Sequence, residues 1–237
     1  MTTTTTLTVR RSNERGRAQH GWLDSHHTFS FANYHDPAHV GFRSLRVINE
    51  DRVAPLGGFP THPHRDMEIF SYVVSGKLAH RDSMGNERTL EPGEVQLMSA
   101  GSGVTHSEFN PSADDAAHFL QIWIHPRERG LEPRYTEWQP PSGPTPPLTL
   151  LISADGRDGS ATIAQDADIF RLRLEAGEQT DFEVRPGRGV WLQVIRGRLR
   201  VGDQVLEAGD GASTEEAGPL SIMTEGESVE ALLFDLG

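Results

Sequence analysis

Short apolar runs, bounded by Gly, Pro, Asp and Asn, recur along the whole chain and are rich in β-branched and aromatic residues. They read FRSLRVINE, MEIFSYVVSG, EVQLMSAG, HFLQIWIHP, TLLISA, DIFRLRLEA, GVWLQVIRGRLRV, PLSIMTEG and VEALLFDL. Turn-forming residues at 83–86 and 202–203 separate such runs, as β-hairpins require. Sustained helical periodicity is missing from the sequence, so the pattern predicts an all-β fold.

The segment 138–147, WQPPSGPTPP, carries five prolines in ten residues. Proline fixes φ and cannot donate to a β-ladder, so this segment favours extended backbone and excludes a central strand. The chain has 237 residues, enough for two domains of ordinary size. We therefore expect a boundary here, with an N-terminal domain at 1–138 and a C-terminal domain at 139–237.

The two halves carry a similar pattern. YVVSGKLAHRDSMGNERTLEPGEV begins at Tyr72, and LQVIRGRLRVGDQVLEAGDG begins at Leu192. Each reads as an apolar strand, a glycine (Gly76 or Gly197), a second strand, a hairpin, and then Leu-Glu-x-Gly. A repeated β unit of this kind predicts two tandem barrels or sandwiches.

Charge and residue usage exclude several classes of protein. With 34 acidic and 22 basic residues the formal net charge is -12, so direct binding of nucleic acid is not expected. Cysteine is absent, so any metal site must use nitrogen and oxygen ligands. The first residues lack the apolar core of a signal peptide, and no segment reaches the ~18 apolar residues of a membrane span. We expect a cytoplasmic, monomeric protein without membrane contact.

Histidine is confined to the first half, because all 11 lie at or before His125. THPHRDMEIF places His62 and His64 at i and i+2, and GSGVTHSEFN does the same with His106 and Glu108. Side chains at i and i+2 of a strand point to the same face. Two such pairs on neighbouring strands would direct three imidazoles and one carboxylate at one point, which predicts a metal site.

Strand parity alone leaves the carboxylate ligand open. Asp66 and Glu68 have the same parity as His64 and could also face inward. Glu108 is favoured only if its strand lies beside the strand that carries the first pair.

The second copy of the repeat lacks these ligands. Counted from the matched glycines, Glu183 and Arg185 stand opposite the first histidine pair, and Ile222 and Thr224 stand opposite the second pair. A metal site is therefore expected in the first half alone.

THPHRDMEIFSYVVSG and EPGEVQLMSAGSGVTHSEFN resemble the two motifs of the cupin superfamily, and most closely the pirin family with its bacterial pirin-like quercetinases. HGWLDSHHTFSFANYHDP, GFRSLRVINEDRVAPLGGFPTHPH and ALLFDLG are similar to the same subgroup. The resemblance implies a bicupin, with two tandem double-stranded β-helix (jelly-roll) barrels. It also implies one divalent metal ion in the N-terminal barrel, held by His62, His64, His106 and Glu108, and a C-terminal barrel without metal. Iron(II) is the usual metal of the family, and the ligand types also suit Zn, Mn, Co, Ni or Cu.

The sequence departs from the general cupin pattern at the carboxylate. Cupins commonly use the glutamate of the first motif, at the position of Glu68, whereas pirins use the glutamate two residues beyond the third histidine. Because Glu108 stands in the pirin position, we expect it to be the ligand and Glu68 to have a supporting or structural role.

The resemblance also implies an activity, that of a quercetinase-type dioxygenase, which opens the flavonol ring of quercetin with O2 and releases carbon monoxide. Its partners would be a flavonol-like small molecule and O2. In this interpretation Glu108 is also catalytic and accepts the proton of the substrate 3-hydroxyl group. Three neutral histidines, one carboxylate and a divalent ion give a net charge of +1, which favours an ionised phenol. Phe59, Val104 and Phe109 are candidates for an apolar mouth.

Two other interpretations stay open on the sequence. Eukaryotic pirins are regarded as transcriptional co-regulators, so the chain could be a metal- or redox-sensing binding protein without turnover. It could also be a cupin enzyme for another small molecule, with incidental activity on flavonols. The histidines at His26, His27, His35 and His39 are expected to be ordinary strand or loop residues.

Overall fold

The computed structural model of the protein describes residues 5–237, and its regular structure is almost entirely β-strand. The strands of the first half are β1 (Thr8–Arg10), β2 (Gly16–Gln19), β3 (Leu23–His27), β4 (Leu45–Val53), β5 (Gly58–His64), β6 (Glu68–Ser75), β7 (Leu78–Asp82), β8 (Glu87–Leu90), β9 (Val95–Ser99), β10 (Val104–Phe109), β11 (Ala117–Ile124) and β12 (Arg134–Trp138). The strands of the second half are β13 (Leu148–Ser153), β14 (Ala161–Thr162), β15 (Ala167–Leu174), β16 (Gln179–Val184), β17 (Gly189–Arg196), β18 (Arg198–Val201), β19 (Gln204–Glu207), β20 (Gly211–Thr214), β21 (Gly218–Thr224) and β22 (Val229–Leu236). Two short 3-10 helices lie at Ser12–Glu14 and Arg157–Gly159.

The all-β prediction is confirmed. Every apolar run identified in the sequence contains a strand, and residues 83–86 and 202–203 join the hairpins β7–β8 and β18–β19. The strands not foreseen, such as β2 and β12, are polar and partly exposed, so apolar alternation could not reveal them. Within residues 5–237, no helix has the length and apolar character needed to cross a membrane.

The chain divides into two compact units. The N-terminal unit contains residues 16–140 and 154–166, and the C-terminal unit contains residues 141–153, 167–237 and the described part of the first fifteen residues. The early segment lies with the C-terminal unit because β1 pairs with β20, with Thr8 opposite Ser213. Residues 154–166 lie with the N-terminal unit, where the amide of Ala164 donates to the Glu68 carboxylate. A single boundary at 138/139 therefore does not describe the units, because an early segment belongs to the C-terminal unit and residues 154–166 belong to the N-terminal unit.

The same topology builds both units. In the N-terminal unit a large sheet has the order β12-β9-β6-β11-β4-β3-β2, and a small sheet has the order β5-β10-β7-β8. The C-terminal unit repeats this with β20-β17-β22-β15 as the centre of its large sheet and β16-β21-β18-β19 as its small sheet. Neighbouring strands run antiparallel in both. The repeat inferred from the glycine-centred pattern is therefore present in the fold.

The interiors of the two units differ in chemistry. The C-terminal interior is filled largely by aliphatic side chains, among them Leu220 and Ile222. Strand pairing places these two residues where β10 has His106 and Glu108, and not Ile222 and Thr224 as the glycine count predicts. In the N-terminal unit an apolar cluster around Val73, Leu78 and Phe119 fills one region. The rest of that interior carries buried polar side chains on β3, β4, β6, β10 and β11.

Gly197, the glycine of the second repeat, gives the first prediction. Gly197 has φ +76, and a Cβ there would collide with the backbone oxygen of Ser228. Gly187 has a similar φ of +81, but a Cβ there would meet no atom within 4 Å. Gly187→Ala should therefore cost only the left-handed backbone penalty of about 1–2 kcal/mol, whereas Gly197→Ala must also displace the backbone and should cost more. Urea unfolding of both variants measures this, and equal losses of stability would contradict it.

Candidate metal centre

Two neighbouring strands supply the predicted ligands. β5 and β10 pair antiparallel, with His106 opposite His62 and Val104 opposite His64. Glu108 follows on β10, which pairs on its other side with β7. The expectation that both pairs lie on adjacent strands is therefore met, because the register brings segments 44 residues apart into direct contact.

Three imidazoles converge as a metal ion requires. Ligand nitrogens of His62, His64 and His106 all lie within 4.8 Å of one another. The Nε2 atoms of His62 and His106 are 3.1 Å apart, close to the ~3 Å expected of two nitrogens bound about 2.1 Å from one ion at right angles. His64 Nε2 is buried and has no hydrogen-bond partner in the structure. An ion between these atoms would satisfy all three, so the residues fit a divalent metal.

An irregularity in β5 orients one of these rings. The register shifts between His106 and Glu108, and Pro60 lies in the extra stretch of β5. The Pro60 carbonyl accepts a hydrogen bond of 2.8 Å from Nδ1 of His62, which leaves Nε2 free for a metal. Pro60 and Pro63 are tolerated because β5 is an edge strand, where missing N–H donors break no inner ladder.

The environment keeps two of the rings neutral. Burial, followed by the neighbouring His106 and His62, lowers the pKa of His64 from 6.5 to about 4. Burial, followed by His62 and His80, lowers the pKa of His106 to about 3. Neutral imidazole is the form that binds a metal ion, so the site is prepared for one at neutral pH.

Glu108 is held beside the three histidines rather than among them. Ser71 Oγ donates to one carboxylate oxygen at 2.9 Å, and Gln121 Nε2 donates to the other at 2.6 Å. Glu108 is 1% exposed and forms a second possible ligand group with His106 and His80. The structure therefore places Glu108 next to one histidine of the triplet, with both oxygens engaged by neighbours.

A residue pair that the sequence analysis missed lies behind His106. His80 and Asp82 stand at i and i+2 on β7, directly opposite Glu108 and His106. His80 Nε2 lies 3.3 Å from Asp82 Oδ2, and His80 Nδ1 lies 3.5 Å from His106 Nδ1. If His80 donates to the Asp82 carboxylate, its Nδ1 accepts from His106, and Nε2 of His106 faces the other histidines. The signal was the sequence LAHRD, which has the same spacing as the other pairs.

Glu68 lies away from the histidines. It is 1% exposed on β6, where Ser99 Oγ and the Ala164 amide donate to its carboxylate. Glu68 and Ser71 are three residues apart in one strand, so they face opposite sides of the sheet, and Ser71 is the one that reaches Glu108. The even spacing between His64 and Glu68 does not put them on the same face, because the chain turns at Asp66, with φ 52, before β6 begins.

His62, His64 and Glu108 line a cavity of about 440 Å³, within the range of small-molecule sites. Its walls include four aromatic side chains, and its inner surface carries polar groups from the large sheet. The aromatic residues are Trp22, Phe31, Phe59 and Trp123, and the polar ones include Ser25, Asn49, Asp51 and Gln121. The cavity is therefore suited to a flat ligand that also carries polar groups.

The sequence predictions for the cavity wall are correct only in part. Phe59 lines it, but Val104 is packed into the core and Phe109 is 39% exposed at the end of β10. His27, expected to be an ordinary strand residue, is buried and lines the cavity. The alternation Leu23, Ser25, His27 of buried side chains on β3 is the signal that could have identified it.

One acid in the cavity has an unusual environment. Burial raises the pKa of Asp51 to about 7, and the charges of Glu108 and Glu50 add to this effect. A hydrogen bond with the Ser25 side chain acts in the opposite direction. Asp51 is 3% exposed, so the carboxyl group adds little negative charge to the cavity below neutral pH.

Comparison with known proteins gives consistent matches over both halves. The family model described as Pirin matches residues 8–124, and the one described as Quercetinase C-terminal cupin domain matches residues 150–236. Quercetin 2,3-dioxygenase of Escherichia coli (strain K12) is 46% identical over 228 residues, which is 96% of this chain and 97% of that protein. A pirin-like protein of Caulobacter vibrioides is 39% identical over 222 residues, which is 93% of this chain and 95% of that protein.

A solved structure matches equally well. The crystal structure of the bacterial pirin YhhW from Escherichia coli in complex with nickel(II) has a TM-score of 0.92 and 44% identity, covering 98% of this chain and 99% of that one. With a cupin-type domain in each half, these matches confirm the predicted bicupin fold.

The lowered histidine pKa values predict how the metal-free protein responds to acid. Between pH 6.5 and about 4 the unfolded chain binds a proton at His64 that the folded chain does not, so stability falls as the pH falls through this window. Asp51 has the opposite effect below pH 7, because its raised pKa makes the folded chain bind a proton that the unfolded chain does not, and stability rises as the pH falls. Urea unfolding between pH 7 and 4 should therefore compare the wild type with His64→Gln, whose loss of stability should be shallower. Equal pH dependence would contradict the assignment.

The pair behind His106 predicts an effect on metal affinity. His80→Ala should weaken binding of a divalent ion by about 10- to 100-fold, and Asp82→Asn should weaken it less, because both act by orienting His106. Chelator competition measures the affinity. His118→Ala is the matched control. His118 lies on β11, its Nε2 is 2.9 Å from Oε1 of Glu50 on β4, and it does not line the cavity. Equal affinities in the His80 and His118 variants would rule out the orienting role.

Proposed function

The chain belongs to the pirin family, and on this basis we propose that it is a metal-dependent dioxygenase of the quercetinase type. In the proposed reaction O2 opens the flavonol ring of quercetin, and the products are a depside and carbon monoxide. The observation that carries the proposal is the convergence of three imidazoles, two of which, His62 and His64, line an aromatic cavity. The names of the relatives with which the chain shares nearly its whole length support the same reaction.

We infer that one divalent ion, iron(II) in the native protein, is held by His62, His64, His106 and Glu108. The crystal structure of a related bacterial pirin in complex with nickel(II) supports the binding of a divalent ion. When bound, the ion supplies Lewis acidity toward the substrate oxygens and a site for O2 chemistry. The nitrogen and oxygen donors of these residues would suit a divalent ion that also binds substrate, and the set has none of the thiolates common in structural zinc sites.

Glu108 has the surroundings of a positioned proton acceptor. Ser71 and Gln121 each donate a hydrogen bond to its carboxylate, which fixes its orientation within the closed interior. In the proposed mechanism Glu108 accepts the proton of the substrate 3-hydroxyl group. The anion that remains is attracted by the net positive charge of the ion and its ligands, and exclusion of water strengthens that attraction.

The aromatic walls favour a flat substrate. Trp22 and Phe59 pack edge to face with ring centroids 5.1 Å apart, and Phe31 and Trp123 do so at 5.4 Å. Each pair locks its members in place, so the cavity offers rigid apolar surfaces to an aromatic ring. His64 also packs against Trp123 at 4.9 Å, so one of these walls adjoins the histidines directly.

Two conservative substitutions test the ligand and base assignments. Glu108→Gln keeps the size but removes the charge and basicity, so it should weaken metal binding and abolish quercetin turnover even after reloading with excess metal. Glu68→Gln should change both much less, because its carboxylate is bound by Ser99 and the Ala164 amide. Metal per chain and quercetin-dependent oxygen uptake are measured for both variants in parallel.

The outcomes separate the alternatives. Loss of metal in Glu68→Gln with retention in Glu108→Gln would overturn the ligand assignment in favour of the general cupin pattern. Wild-type turnover by reloaded Glu108→Gln would remove its role as base. Absence of quercetin-dependent oxygen uptake in the metal-loaded wild type, relative to the metal-free protein, would reject the quercetinase and favour the sensor or an enzyme for another small molecule.

A further inference from the structure

A patch of polar side chains from the large sheet faces the same cavity as the histidines. Ser25 on β3 and Asn49 and Asp51 on β4 line it. The histidines come from the small sheet, so the two kinds of group reach the cavity from different sheets. Asp51 belongs to none of the groups of His, Asp and Glu side chains within residues 5–237 that lie close enough to share a metal ion.

Strand register places this patch beside the Glu108 pocket. Asn49 lies opposite Gln121 of β11, and Gln121 lies opposite Ser71 of β6. Gln121 and Ser71 are the side chains that hold Glu108. Asp51 is two residues from Asn49 on the same face of β4. The patch is thus a continuation of the hydrogen-bonded row that supports Glu108.

The patch has hydrogen-bonding capacity that the protein does not use. Asn49 is 4% exposed and Asp51 is 3% exposed, and each has a buried Oδ1 without a hydrogen-bond partner. A buried acceptor without a donor destabilises the folded state, and such atoms in a native structure call for an explanation. An amide oxygen accepts hydrogen bonds, and a carboxyl group can accept them in either protonation state, so a molecule in the cavity that brings hydroxyl or amine donors would satisfy both residues.

The proposed substrate class has donors of this kind. Quercetin engages the metal through its 3-hydroxyl and 4-keto oxygens and carries further phenolic hydroxyls on its two aromatic rings. A flat ring held between the aromatic walls would extend from the histidines into the space lined by β3 and β4. Phenolic hydroxyls are donors, whereas the unsatisfied oxygens of the patch are acceptors, so the two sets are complementary.

We propose that Asn49 and Asp51 form a specificity subsite that accepts hydrogen bonds from substrate hydroxyls other than those that engage the metal. This inference rests on the proposed function, because it assumes a flavonol in the cavity. The subsite distinguishes a polyhydroxylated flavonol from one that has only the metal-binding oxygens. Ser25 holds the Asp51 carboxyl group by a side-chain hydrogen bond, which fixes the direction of its other oxygen.

The test compares two ligands that differ only in the hydroxyls at issue. Quercetin has them, and 3-hydroxyflavone keeps the metal-binding oxygens alone. Their dissociation constants for the metal-loaded protein are measured without oxygen, by the change in flavonol absorbance, together with metal content per chain. Asn49→Leu should weaken quercetin binding by about tenfold and change 3-hydroxyflavone binding less than twofold. Asp51→Asn preserves the volume and exchanges one acceptor for a donor. It should also raise the dissociation constant of quercetin relative to that of 3-hydroxyflavone.

The matched control is Gln96→Leu. Gln96 lies on β9 opposite Ser71, is fully buried, and its amide also has no hydrogen-bond partner, but it does not line the cavity. Its ratio of the two dissociation constants should equal that of the wild type.

An unchanged ratio in both Asn49→Leu and Asp51→Asn, with full metal content, would overturn the subsite, and buried water would then be the partner of these oxygens. If the metal-loaded wild type binds neither flavonol, the proposed function fails and the subsite falls with it. If the wild type binds both ligands and only the variants lose the preference, both inferences stand.

Discussion

The register between β5 and β10 decides whether three imidazoles can share one ion. His62 and His106 are 44 residues apart in the chain, and they meet only because the two strands pair with these positions opposite each other. A slip of one residue would turn both β5 histidines to the other face. The pairing of β10 with β7 on its second side, and the irregularity next to Pro60, hold this register in place. The histidines can therefore act as one site only when the two strands pair in this register.

The two units show how one topology can be used with and without that chemistry. Both have the same central strand order, but the positions of His106 and Glu108 are taken in the C-terminal unit by Leu220 and Ile222, which belong to an aliphatic core. The N-terminal interior instead contains a polar row that includes Asn49, Gln121 and Ser71. Polar groups in an interior weaken a core unless they are paired, and the unpartnered Oδ1 of Asn49 in this row therefore indicates a site there. The fold supports function but does not determine it.

Much of this site could be predicted from the sequence, because spacing of two residues in a strand has a direct geometric meaning. That rule found the metal-ligand candidates on β5 and β10, and applied to LAHRD or INEDRV it would also have found His80 and Asn49. It could not assign Glu68, since the turn at Asp66 resets which face a side chain takes. Nor could it show that the Glu108 carboxylate is occupied by Ser71 and Gln121, because those contacts join strands distant in the chain. Side-chain direction within one strand could be predicted from the sequence, whereas contacts between strands distant in the chain could not.

The edge position of β5 has a consequence for exchange of the ion with solution. In the part of the chain that the structure describes, β5 pairs with β10 alone, and its two prolines leave it few N–H groups to hold it there. Edge segments with few backbone bonds open at much lower free energy than the whole domain. Detachment of this one strand would release His62 and His64 together while His106 stayed in the folded barrel. For an ion held by these histidines, fraying at one sheet edge would govern the residence time, so a protein of high global stability could still exchange its metal quickly.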